Sequence, residues 1–187
     1  MCFNLFGSKT TGDWAQAAGR LGQAVELLEQ QLSTVTTGRA GVLVRPTSDQ
    51  DGDQAKAEVE QALSGLTSSE ARFDVQSDET GHPWILIRES GLPELAAAMQ
   101  AVGAGLESAG LGDRVIAGVY PFRWKEDQVY WIYQSRLRAY TPFVPKGTKE
   151  GDERDHPLEL RMEAAARRAL PTSRHISEWF PIWGMPI

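Results

Sequence analysis

One segment constrains the fold of this chain more than any other. It reads RVIAGVYPFRWKEDQVYWIYQSRLRAYTPFVP, from residue 114 to residue 145. Two runs with β-type alternation, residues 114–124 and 128–140, flank a polar turn, which is typical of an antiparallel hairpin. A two-residue loop at Glu126-Asp127 sets the register of that hairpin. The segment therefore predicts a core wall against which helices pack.

That register divides the predicted hairpin into two unlike faces. The first face is apolar and aromatic, and its opposed pairs are Trp124–Val129, Phe122–Trp131, Tyr120–Tyr133 and Ile116–Leu137. The second face carries the arginines, and its opposed pairs are Arg123–Tyr130, Val119–Gln134, Ala117–Arg136 and Val115–Arg138. Because proline lacks a backbone donor, Pro121 predicts that its strand lies at a sheet edge or carries a bulge.

Amphipathic stripes and short apolar runs predict the remaining elements. The stripes cover residues 14–32, 55–66, 93–106 and 157–169, and the apolar runs cover residues 41–46, 73–76 and 83–88. We predict a single α+β domain over residues 1–187, with an N-terminal helix and a C-terminal aromatic tail. Its mainly antiparallel sheet has about five strands packed with helices, and a ferredoxin-like arrangement fits this order.

The overall charge and the cysteine content exclude several classes of protein. The formal net charge is −6 and the pI is near 5.1, whereas a nucleic-acid binder needs a basic stripe. The single cysteine, Cys2, excludes an internal disulfide framework and fits a reducing cytoplasm. No apolar run reaches the roughly 20 residues that span a bilayer. We expect a soluble cytoplasmic protein that contacts the membrane only through a partner.

Residues that carry chemistry are sparse and scattered. The three histidines, His82, His156 and His175, have no second ligand at metal-binding spacing. Cys2 has no neighbouring base, and no serine lies in a nucleophile elbow. The sequence therefore predicts no enzyme, no metal site and no cofactor.

The most suggestive polar group is a set of arginines on the predicted hairpin. Arg123, Arg136 and Arg138 share a predicted face with Tyr130 and Tyr140 and offer planar donors to an acidic partner. We therefore treat Arg123, Arg136, Arg138 and Tyr140 as candidate partner-binding residues. The alternative is a solvated sheet face, since antiparallel sheets often leave one face in water.

The C-terminal tail is rich in aromatic residues. Trp179, Phe180, Ile182 and Trp183 would expose several hundred Å² of apolar surface if the segment hung free, which is rare on a soluble monomer. We predict that Trp179 and Trp183 pack on their own domain or its dimer, beside the fourth helix. The alternative is a recognition peptide for a partner.

The tail and several earlier segments resemble the PspA-associated protein family PspAB. The segments are WFPIWG at 179–184, LEL at 158–160, YTPFVP at 140–145, WILIR at 84–88 and GVYPFR at 118–123. The resemblance covers nearly the whole chain and departs at Thr141, where a second aromatic residue is expected. It implies an association with PspA-type membrane-stress proteins and a gene often placed beside an HtpX-type membrane zinc protease. It carries over no catalytic residues.

Three functions of different classes remain open from the sequence. The first is a non-enzymatic adaptor or regulator in an envelope-stress response, which binds a PspA-like protein or the HtpX-type protease. The second is a chaperone-like module, similar to secretion chaperones and YbjN-type domains and often dimeric, which needs an exposed apolar patch. The third is an enzyme without a recognisable motif, which needs titratable residues converging in a pocket.

Overall fold

The elements alternate along the chain as the sequence predicts for an α+β protein. The computed structural model describes residues 13–48, 51–67, 69–148 and 150–187. The helices within these residues are α1 (Asp13–Gln23), α2 (Val25–Leu32), α3 (Gly52–Leu63), α4 (Leu92–Ser108) and α5 (His156–Ala166). The strands are β1 (Val35–Thr36), β2 (Arg39–Val44), β3 (Phe73–Ser77), β4 (Pro83–Arg88), β5 (Val115–Trp124), β6 (Asp127–Gln134) and β7 (Ala139–Phe143).

All seven described strands belong to one antiparallel sheet, which confirms the predicted fold class. The strand order is β3-β4-β2-β5-β6-β7, and every neighbouring pair is antiparallel. The short strand β1 precedes β2 and pairs with the C-terminal part of β5, at Phe122 and Arg123. Thr37-Gly38 separates β1 from β2, which pairs with the N-terminal part of β5. The sheet has more than the expected five strands, because β1 is added and the run 128–140 is divided in two.

The two faces of the sheet are covered by different parts of the chain. The helices cover one face, whose side chains include Tyr120, Trp131 and Tyr140. The apolar residues of the C-terminal tail pack against the other face. That second apolar cluster consists of Leu43, Trp84, Leu86, Ala117, Val119, Tyr130, Ile132 and Phe143. The expectation of a solvated second face is therefore wrong for most of the sheet.

The predicted hairpin forms, but its register is displaced by two residues. Trp124 pairs with Asp127, so the loop consists of Lys125 and Glu126 instead of Glu126 and Asp127. Lys125 adopts the left-handed conformation, with φ 56°. Because successive side chains point to opposite faces, a shift of two residues keeps the side chains of residues 117–124 and 129–133 on their predicted faces. Val115 and Ile116 instead exchange faces, since Val115 lies in the helix-side cluster and Ile116 packs on the opposite one. The opposed pairs on the aromatic face become Phe122–Val129, Tyr120–Trp131 and Gly118–Tyr133.

The second strand of the hairpin ends earlier than predicted. β6 stops at Gln134, and residues 135–138 turn the chain into β7. The Gln134 carbonyl accepts hydrogen bonds from the backbone N–H groups of Leu137 and Arg138, at 3.1 and 2.9 Å. The predicted pairs of Ala117 with Arg136 and of Val115 with Arg138 are therefore wrong, because both arginines lie in a turn.

Pro121 lies in an interior strand, so its prediction as an edge residue is wrong. β5 has β6 on one side and β1 with β2 on the other. Pro121 lies opposite the break between β1 and β2, where the Thr37 N–H donates to the Pro121 carbonyl at 3.2 Å. The irregularity opposite Pro121 is therefore in the partner strand. β5 also carries the bulge that the alternative predicted, but at Ile116, because Leu43 pairs with Ala117 and Val44 with Val115.

The first predicted helix is two helices, because the chain breaks at Ala24. α1 packs directly on α4, and glycines permit the close approach. A Cβ atom at Gly103 would lie 2.3 Å from the Trp14 ring, and one at Gly22 would lie 2.7 Å from the Ala96 Cβ. These contacts explain why α1 and α4 contain glycines that a solvent-exposed helix would not favour.

The turn between β3 and β4 depends on one carboxylate, and its contribution should vary with pH. Asp78 Oδ1 accepts from the backbone N–H groups of Thr80 and His82, and Oδ2 accepts from Trp84 Nε1 at 3.1 Å. Burial raises the pKa of Asp78, but these bonds and that of the Thr80 hydroxyl outweigh it, so the pKa lies below 3.8. We expect Asp78→Asn to cost about 1–2 kcal/mol at neutral pH.

The sign of the pH effect follows from the lowered pKa. A carboxylate with a depressed folded-state pKa stabilises the fold above its unfolded-state pKa and loses that contribution as pH falls through the folded-state value. The difference in unfolding free energy between the parent and Asp78→Asn should therefore shrink below pH 3.8. Urea titrations at pH 7 and pH 3 measure it, with Asp74→Asn on the preceding strand, β3, as control. A constant difference would contradict the assignment.

Candidate partner-binding site

A cleft at one end of the sheet brings basic and aromatic residues together. It lies where β5 begins and β6 ends, and its volume is about 680 Å³. The β6–β7 turn, the end of α4, the start of α1 and the tail form its walls. We call it the arginine cleft, and its lining residues are Trp14, Arg45, Glu107, Gly112, Asp113, Val115, Ile116, Tyr133, Gln134, Ser135, Arg136, Arg138 and Phe180.

The formal charge of the arginine cleft is opposite in sign to that of the whole chain. Arg45, Arg136 and Arg138 contribute three positive charges, and Glu107 and Asp113 contribute two negative charges, which leaves +1. The whole chain carries −6. A locally positive cleft within an acidic protein favours an anionic group at this one place. Guanidinium groups also bind carboxylates and phosphates through paired donors.

Arg138 occupies a backbone conformation that arginine rarely adopts. Its φ is 53°, in the left-handed region where glycine and asparagine are favoured. The left-handed conformation costs roughly 1–2 kcal/mol for a residue with a Cβ atom. Residues held at such a cost are concentrated at ligand sites. Ser33 and Lys125 adopt the same conformation, so what distinguishes Arg138 is its place in the lining of the cleft.

The tail supplies an accessible aromatic surface to the arginine cleft. Phe180 lines the cleft and is 51% exposed, although its neighbour Trp179 is only 3% exposed. An aromatic ring beside guanidinium groups can stack on a partner's apolar side chain while the arginines hold its charge. The cleft is therefore suited to a ligand that carries both an anionic and an apolar group.

The structure brings together only two of the four candidate partner-binding residues. Arg136 and Arg138 line the cleft. Arg123 is exposed near the hairpin tip, six residues along β5 from Ala117, the partner of Gln134. At ~3.4 Å per residue it lies about 20 Å from the β6 end. Arg123 therefore belongs to a different surface from the other two arginines.

Tyr140 is not on the arginine face. It is 0% exposed and packs on the helix face of the sheet, where its hydroxyl donates to the Ala17 carbonyl at 2.8 Å. Its ring lies 5.2 Å from that of Tyr133. Burial raises the pKa of Tyr140 well above its usual value. The side chain thus joins α1 to β7, and a partner outside the protein does not reach it.

Sequence reasoning missed Arg45 and the position of Phe180. Arg45 follows β2 in sequence and reaches the cleft because β2 pairs with β5. Its backbone N–H donates to the Arg114 carbonyl at 2.8 Å, which holds it beside the start of β5. No local sequence pattern predicts that long-range strand pairing. The available signal was the Arg45-Pro46 step that ends the apolar run.

A buried polar cluster holds the start of the tail beside the cleft. Glu159 is 0% exposed, and its Oε1 accepts from the Val144 N–H at 2.8 Å and from Arg154 Nε at 2.9 Å. Arg154 also donates to the Trp179 carbonyl at 2.8 Å. Trp179 Nε1 donates to the Ser173 carbonyl at 3.0 Å. We call Arg154, Glu159 and Trp179 the tail anchor, because they join α5, β7 and the tail.

The three tail residues that the sequence singles out have different environments. Trp179 is buried in the tail anchor, and Phe180 lines the arginine cleft. Trp183 is half-buried on the outer sheet face, where its ring meets that of Phe143 edge-on at 4.9 Å. The sequence predicted that Trp183 lies beside the fourth predicted helix, which is α5 in the structure. That prediction is wrong, since the apolar contacts of Trp183 are with the sheet.

The described residues offer neither a cluster of three or more potential metal ligands nor a helix long and apolar enough to cross a membrane. The accessible chemistry of the cleft is that of charge, hydrogen bonding and aromatic contact. Fold and cleft together define an α+β protein with one antiparallel sheet and a basic cleft at its end.

The chain belongs to the PspAB family. The family model described as PspA associated protein B matches residues 18–187, which is nearly the whole chain. The match contains every lining residue of the arginine cleft except Trp14, and it contains the whole tail. No curated protein and no solved structure matches the chain. The family description associates the protein with PspA.

Proposed function

We propose that this protein is a non-enzymatic cytoplasmic adaptor or regulator in a PspA-type envelope-stress response, acting by protein–protein binding. The single observation that carries the proposal is the arginine cleft, considered together with membership of a PspA-associated family. The partner is a PspA-like protein, and the cleft receives an acidic segment of it. The protein reaches the membrane through that partner.

The chemistry of the cleft supports binding of an acidic peptide segment. Its volume of about 680 Å³ falls within the ~300–1,000 Å³ range of ligand-binding pockets and is sufficient for a few side chains. Arg45 and Arg136 form no ion pair with any carboxylate of the described residues, so their charges are available to a partner. Arginine and aromatic residues are also the side chains most enriched at binding hot spots.

Charge reversal in the cleft should abolish partner recovery without unfolding the protein. Arg136 and Arg138 are exposed turn residues, so Arg136→Glu/Arg138→Glu should change the melting temperature little. Truncating or reversing a hot-spot charge costs about 2–5 kcal/mol, which corresponds to a loss of about 30-fold or more in affinity. We expect a tagged parent protein to co-purify a PspA-like protein and the double variant to recover little of it.

A matched control is available at the other end of the sheet. Arg123→Glu/Lys125→Glu changes two exposed basic residues at the hairpin tip and lowers the net charge by the same four units, from −6 to −10. This variant should recover the partner as well as the parent protein does. Equal recovery by all three proteins would remove the cleft from the proposal. Recovery of an HtpX-type protease without PspA would replace the proposed partner.

A further inference from the structure

The tail covers the outer sheet face without being bonded to it. Ile182, Trp183, Met185 and Ile187 pack on the second apolar cluster, yet each of them is only half-buried. Residues 181–187 form no hydrogen bond with the rest of the described chain and join no strand of the sheet. The segment is therefore held by apolar contact alone, along an irregular backbone.

The hydrogen bonds of the tail are concentrated before residue 180. Arg154 donates to the Trp179 carbonyl, Gln134 Nε2 donates to the Glu178 carbonyl at 3.2 Å, and Trp179 donates to Ser173. These bonds fix residues 173–179 against the domain. The boundary between a bonded and an unbonded segment at Phe180 permits residues 181–187 to leave while the tail anchor stays in place.

The surface beneath the segment has the character of a peptide-binding site. Its eight residues are almost fully buried and include Trp84, Tyr130 and Phe143. Phe143 contacts both the Trp183 ring and the Arg154 guanidinium group, whose carbon is 5.1 Å from the Phe143 ring centroid. If residues 181–187 left this face, its eight residues would form a contiguous exposed apolar patch, and such patches mark interaction sites. Its present occupant is a proline-containing peptide with one aromatic side chain and several aliphatic ones.

We propose that the outer sheet face is a second binding site, which takes an apolar, proline-containing segment of a partner protein in exchange for residues 181–187. The aromatic side chain of the incoming segment replaces Trp183 against Phe143. The tail competes from within the same chain, at an effective concentration of about millimolar, so it limits binding until a partner segment is abundant or tethered nearby. This inference does not depend on the arginine cleft.

A synthetic peptide of residues 180–187, FPIWGMPI, labelled at its first residue, tests the exchange on the full-length protein. We expect saturable binding in fluorescence anisotropy. Trp183→Ala in the protein weakens the competing tail, so the same peptide should bind that variant about tenfold more tightly or better. Ile176→Ala, an exposed apolar change in the bonded part of the tail, should leave the affinity unchanged.

Substitutions of Trp183 in the peptide, instead of in the protein, test whether this side chain makes the binding contact. A peptide in which Trp183 is replaced by alanine should not bind either protein, whereas Trp183→Tyr in the peptide should retain most of the affinity. Absence of binding to both the parent and the Trp183→Ala protein would overturn the proposal, and so would equal affinity for the two. If circular dichroism shows that Trp183→Ala is unfolded, Met185→Ala replaces it, with the same expected direction.

Discussion

Deleting residues 179–187 should lower the melting temperature by about 6–20 °C. The deletion removes Trp179, which is 3% exposed, and uncovers the second apolar cluster. Removing one large buried aromatic side chain costs about 3–5 kcal/mol. In a protein of this size each kcal/mol shifts the melting temperature by roughly 2–4 °C. Differential scanning calorimetry measures the shift.

Single substitutions locate the origin of that loss. Trp179→Ala should account for most of it, because the substitution also removes the Nε1 hydrogen bond to Ser173. Ile176→Ala, which is 45% exposed three residues earlier, should shift the melting temperature by no more than about 2 °C. A truncated protein that melts like the full-length chain would contradict this expectation, and if that protein also lost a partner, the tail would be a recognition peptide.

Breaking the tail anchor from the α5 side should have a comparable effect. Glu159→Ala leaves the Arg154 guanidinium group without its carboxylate, and the Arg154 side chain is only 12% exposed. Removing one member of a buried ion pair costs about 3–5 kcal/mol, because the remaining charge is not solvated. The Val144 N–H also loses its acceptor. Urea unfolding should therefore show a loss of this order.

Two comparisons separate the ion pair from general damage to α5. Replacing both Arg154 and Glu159 by methionine should cost less than Glu159→Ala alone, because no buried charge is left unpaired. Glu60→Ala breaks the exposed Lys56–Glu60 pair on α3 and should cost less than about 1 kcal/mol. A Glu159→Ala protein as stable as the Glu60→Ala protein would contradict the assignment of the tail anchor.

Alternation along the hairpin assigned the faces of residues 117–124 and 129–133 correctly although the register was wrong. Because side chains alternate with a period of two, the displacement of two residues left Phe122 and Trp131 on the helix side. The end of β6 was not predictable in the same way. Residues 135–138 contain no glycine, proline or asparagine, and the positive φ falls on Arg138. A turn whose one typical turn residue is Ser135 carries little local signal.

The candidate site was predictable only in part. Arg136 and Arg138 were identified from their charge and position, whereas Arg45 reaches the cleft through a pairing of strands about 70 residues apart, as the Arg45–Arg114 backbone bond shows. Tyr140 was misassigned because the strand containing it was taken as continuous with β6. The surface on which the tail packs is the sheet face that the helices leave uncovered. Which face that is depends on the assembled sheet and was not predictable from the sequence of the tail.

Isothermal titration of the purified full-length protein with a purified PspA homologue tests the central claim most directly. We expect saturable binding that Arg136→Glu/Arg138→Glu weakens by about 30-fold or more and that Arg123→Glu/Lys125→Glu leaves unchanged. Raising the salt concentration to about 0.5 M should also weaken it, since exposed charges are screened. Absence of binding at high micromolar concentrations, or equal affinity of the two charge-reversed proteins, would contradict the proposed function.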